Sequence, residues 1–87
     1  MIFVKSFTST ELIAVNSDST RKSVEKAVAD TTEEMQTWVE KEEEFAETHF
    51  KDGYVKVIST STQLAVNEYI VSYVITAVIE LDGKNEE

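Results

Sequence analysis

The chain has 87 residues, with 17 acidic against 8 basic side chains, no cysteine, no proline, two glycines and a formal charge of −9. This length makes one domain, and the charge argues against direct binding to nucleic acid or to an anionic membrane surface, both of which need lysine and arginine. Without cysteine, neither disulfides nor thiolate metal sites supplement a core that hides only about 60% of the unfolded chain's surface.

The opening "MIFVKSF" reads as a strand rich in β-branched and aromatic residues. Its lysine lies inside the apolar run and no small-residue cleavage site follows, so it is not patterned as a signal peptide. A second apolar run, "LIAV", is either a returning strand or the tail of one long strand. The strand region 2–15 therefore holds one strand or two. "NSDST" then offers hydroxyl and carboxamide groups suited to capping a helix N-terminus.

From about residue 20 to 50 no glycine or proline interrupts the chain. Val24, Ala27, Val28, Thr31, Met35, Trp38, Phe45 and His49 fall along one stripe at helical spacing, which predicts an amphipathic helix of about 30 residues and about 45 Å. "HFKDGY" closes it, with Lys51 near its negative end and Gly53 expected as the C-cap.

"YVKVISTST" predicts a strand over about 54–62, and "QLAVN" a loop or irregular turn. A long strand over about 68–81 follows. One of its faces, Tyr69, Val71, Tyr73, Ile75, Ala77, Ile79 and Leu81, is wholly apolar; the other, from Ile70 to Glu80, is half apolar. That pattern predicts a central strand covered on both sides for part of its length, the second cover coming from another subunit. The longest apolar run, "YIVSYVITAVIEL", is shorter than the roughly 20 residues a membrane span needs. Residues 82–87 read as a frayed polar tail. The expectation is a single α+β domain over 1–87, of one antiparallel sheet with three or four strands packed on one long helix, in the order β(β)αββ. It is expected to be cytoplasmic and to gain buried area as a homo-oligomer.

Little in the chain suggests chemistry. The single histidine, His49, sits near the helix C-terminus, where an imidazolium favours the dipole; one histidine does not make a site. Glycines are too few for a phosphate loop and no metal-ligand spacing occurs, so no catalytic residue, cofactor or metal is expected. The helix projection places Glu33, Glu40, Glu43, Glu44 and Glu47 opposite Trp38 and Phe45. They are the solvated face of an amphipathic helix or an acidic ridge for a basic protein partner. Glu42 instead falls within the apolar stripe, where an unpaired carboxylate is costly. Either the packed part of the helix ends near it or another chain supplies its partner. Trp38, Glu42, Phe45, His49, Tyr69 and Tyr73 are the candidate oligomer interface. Trp38, Tyr54, Tyr69 and Tyr73 are also the aromatics available to line a flat-ligand pocket.

"MIFVKSF", a helix, "YVKVISTST" and "NEYIVSYVITAVIEL" together resemble the dodecins, small β-α-β-β flavin-storing assemblies. That resemblance implies a flavin stacked on an aromatic at a strand start, a place Tyr54 would take, where dodecins use tryptophan. Dodecins also carry an inward glutamine in the last strand, and this chain has none there. The "MI-x-VK-x-F" start and the long apolar end are also similar to a short sporulation-associated family of spore-forming bacteria. The leading expectation is a non-enzymatic accessory protein acting through protein–protein contact. The alternatives are a phage- or mobile-element-encoded inhibitor whose acidic helix imitates nucleic acid, and a dodecin-like ligand binder using Tyr54 and Tyr73.

Overall fold

The computed structural model describes residues 1–13 and 19–85. Strand β1 spans Ile2–Leu12, helix α1 Ser19–His49, strand β2 Phe50–Val66 and strand β3 Ile70–Asn85. The strands form one antiparallel sheet in the order β1-β3-β2, so β3 is central as its two-faced apolar pattern predicts. The fold is α+β in the order β-α-β-β. Residues 14 and 15 of the suggested extra strand lie outside the described residues, as do the expected caps at 16–18. No helix of the described residues is long and apolar enough to cross a membrane.

Two boundaries differ from expectation. Gln63 to Val66, read as a loop, continue β2 against Val74 to Val71. Asn67 makes the turn: its Oδ1 accepts the backbone N–H groups of Tyr69 and Ile70, each at 2.8 Å. Such a turn needs only a short carboxamide side chain, so it sits later and is tighter than composition suggested. Residues 82–85, read as a frayed tail, extend β3 opposite Tyr54, Lys51 and Phe50. Pairing with the opening residues of β2 holds them.

The register assigns the faces. Phe3, Lys5, Phe7, Ser9 and Glu11 of β1 lie on the same side as Ile79, Ala77, Ile75, Tyr73 and Val71 of β3. Helix α1 covers this side, and the core is Phe7, Ala27, Ala46, Val71, Ile75, Ala77, Ile79 and Leu81. Thr31 is also fully buried, and its hydroxyl donates to the Ala27 carbonyl at 2.7 Å, which removes the cost of burying it. On the other side, Ser72, Val74, Thr76, Val78 and Glu80 are half-buried, with no second layer over them among the described residues.

Helix α1 crosses the sheet diagonally. Near its start, Ser23 Oγ donates to the Leu12 carbonyl at 3.0 Å and Lys26 Nζ to Glu11 Oε1 at 2.7 Å, both on β1. At its middle Trp38 packs on Phe7, ring centroids 5.6 Å apart. At its end Ala46 lies against Gly53 of β2. The far half of β2 is therefore uncovered, and every residue from Lys56 to Val66 is exposed.

Gly53 does not serve as the helix C-cap. The left-handed conformation falls to Asp52, at φ 54°, within the bulge between Lys51 and Tyr54. Gly53 is needed for space: a Cβ there would stand 2.0 Å from the Ala46 carbonyl oxygen. Gly83 faces it across the bulge, its own Cβ position 2.9 Å from Gly53 Cα. The two glycines let β2, β3 and the last helical turn meet backbone to backbone.

The same approach explains a second correction. The helical stripe predicts a buried Phe45, but Ala46 is fully buried and Phe45 is 45% exposed. The Ala46 backbone is the part of the helix that meets Gly53, and its side chain is the one buried there. Phe45 turns aside, stacks on His49 at 4.1 Å and meets the edge of Phe50 at 6.4 Å.

Candidate partner-binding groove

Because β1 pairs only with β3, its outer edge is unpaired among the described residues. Beside that edge the diagonal helix leaves a groove of about 760 Å³. One wall is the consecutive run Lys5 to Glu11, so it is backbone edge as much as side chain. The other is a single flank of α1, carrying Asp30, Glu33, Glu34, Thr37, Trp38 and Lys41 at spacings of three and four residues. Phe7 and Trp38 form its apolar part, and the Lys5 ammonium lies 5.4 Å from the Phe7 ring centroid and 5.7 Å from that of Trp38.

One end of the groove is fixed by ions. Lys26 Nζ donates to Glu11 at 2.7 Å and to Asp30 at 3.1 Å, clamping helix to strand. The hydrogen bond to Glu11, then that to Asp30 and the charges of both, raise the Lys26 ammonium above the ordinary lysine value. Glu33 and Glu34 are exposed on the rim and take part in no ion pair among the described residues.

The five glutamates of the predicted acidic face, Glu33, Glu40, Glu43, Glu44 and Glu47, are all exposed. Only Glu33 also lines the groove; the others look outward from the helix. Asp30 and Glu34 belong to the groove and were missed, since helical projection alone does not reveal which flank meets a sheet edge.

The residues expected at an oligomer interface do not form one patch. Trp38 is half-buried on Phe7, Phe45 and His49 stack on each other, and Tyr69 is 69% exposed in the β2–β3 turn. The length of β2, about 50 Å at 3.3 Å per residue, separates Tyr69 from Phe45. Glu42 is half-buried in the stripe, and among the described residues no buried side-chain oxygen is left unpartnered. Its carboxylate thus reaches solvent.

Tyr54 and Tyr73 lie on opposite faces. Tyr54 stands opposite Asp82 on the uncovered side, donating to Asp82 Oδ2 at 3.2 Å, while Tyr73 pairs with Leu64 on the helix side. The Asp82 charge, and then that hydrogen bond, raise the Tyr54 phenol above the ordinary tyrosine value. These two rings cannot close on one flat ligand.

Compared with protein-family models, curated proteins and solved structures, the chain matches none.

Proposed function

We propose that this chain is a non-enzymatic accessory protein of the cytoplasm, probing a basic partner by direct contact and working as a homo-oligomer. The groove between β1 and α1 carries this reading. It offers an unpaired strand edge, an apolar floor at Phe7 and Trp38, and a rim with Asp30, Glu33 and Glu34. An extended segment adding to such an edge gains affinity from main-chain hydrogen bonds and specificity from its alternate side chains. Lysine or arginine on that segment would meet the glutamate rim, and the overall charge of −9 would speed its approach.

The test is fluorescence anisotropy with a short labelled peptide of alternating lysine and valine. Binding should weaken steeply with salt and fall several-fold in Glu33→Gln/Glu34→Gln. Equal binding of a glutamate–valine peptide, or indifference to the double substitution, contradicts the reading.

A further inference from the structure

The outer edge of β2 is also unpaired among the described residues, and it differs from that of β1. From Val57 to Val66, β2 reads "VISTSTQLAV", ten residues with no charge, proline or glycine. Natural edge strands are usually blunted by such residues, because an open ladder of N–H and C=O groups templates another strand. The β1 edge has Lys5 and Glu11 and a flanking helix. The far half of β2 has no such guard beyond the bulge at Ile58, after which Ser59 to Val66 run in unbroken register with β3. Leu64 and Val66 are each 49% exposed on the helix side, where the diagonal helix does not reach.

The molecule also shows more surface than its mass warrants. Its accessible area is 6159 Å², where a compact monomer of 9.8 kDa shows about 5,200 Å². The excess, about 1,000 Å², is close to the roughly 800 Å² that each partner buries in a standard interface. The radius of gyration is 16.8 Å against about 12 Å for a compact chain of this length.

We propose that a second copy of this chain adds antiparallel to the outer edge of β2, making one continuous six-stranded sheet. This rests on the homo-oligomer reading above and places its interface. Two copies each carrying −9 repel least where the contact itself carries no charge, and this edge is the longest uncharged stretch of the described chain outside β3's core run. A two-fold axis at Thr62, near the middle of Ser59–Val66, sets each residue opposite one on its own face of the sheet, so pleats match without a further bulge. The two helices then flank a trough that encloses Leu64 and Val66.

The experiment is light scattering of the full chain at micromolar concentration, with Thr62→Lys and, as a control on the opposite edge, Thr8→Lys. The expected mass is twice 9.8 kDa for the native chain and Thr8→Lys, and 9.8 kDa for Thr62→Lys. Amide exchange on the native chain is read alongside, so a misfolded variant leaves the idea testable: protection of Ser59–Val66 should drop at least several-fold on dilution. A native monomer overturns both the oligomer reading and this interface. A native dimer that Thr62→Lys leaves intact, with exchange in Ser59–Val66 independent of concentration, overturns the interface alone.

Discussion

Gly53 and Ala46 touch backbone to backbone, so closely that a methyl on Gly53 would sit 2.0 Å from the Ala46 carbonyl oxygen. That contact fixes where the helix ends over the sheet, and through the diagonal it fixes both the groove beside β1 and the bare half of β2. Gly53→Ala should therefore destabilise by about 1–3 kcal/mol, the usual cost of overpacking. Urea denaturation measures it, and an unchanged midpoint would mean that the helix end sits elsewhere.

The contact of Phe7 with Trp38 joins the groove's floor to the core. Phe7 is 7% exposed and is the one aromatic in the core among the described residues, so Phe7→Ala should cost about 3 kcal/mol or more. In a domain this small that is a large share of total stability. Thermal unfolding followed by circular dichroism should show a clear fall in Tm, whereas Phe3→Ala, at a more exposed position, should show a small one.

Lys26 and Tyr54 both hold their protons more tightly in the folded chain than in the unfolded one. Stability from these contacts is fully present below their ordinary values, near pH 10, and is lost as pH rises through the raised ones. Tm should thus decline above about pH 10, and the decline should be shallower in Lys26→Met/Tyr54→Phe. Titration of Tm between neutral pH and pH 11 checks this. Both groups are exposed, so the effect should be modest.

The outward glutamates repel along the helix. Glu40 with Glu44 and Glu43 with Glu47 stand one turn apart, each pair costing a few tenths of a kcal/mol. Glu43→Gln/Glu44→Gln relieves both and should raise Tm slightly at low salt, with the gain disappearing at high salt. Such a gain would identify these side chains as ones the fold does not need. If the chain imitates nucleic acid, the same double substitution should also abolish binding to a DNA- or RNA-binding partner.

The order of elements and the central place of β3 were legible because both rest on local periodicity: two faces on a long strand, and one stripe on an uninterrupted helix. What escaped depends on contacts far apart in the chain. Gln63 to Val66 have no strand pattern of their own and become strand only through β3. Phe45 and Ala46 are consecutive and point about 100° apart around the helix, and the buried one is that whose backbone meets Gly53. The groove follows from the angle at which the helix crosses the sheet, so Asp30 and Glu34 carried no signal in sequence, while Glu33 was named for its place on the outer face.

The most direct test of a partner-binding role at the β1–α1 groove is chemical-shift mapping of the full chain titrated with the lysine–valine peptide. The backbone amides of Lys5 to Glu11, and those of α1 between Asp30 and Lys41, should move together and saturate. Shifts confined to Glu43–Glu47, or none at all, would contradict a partner-binding role for the groove.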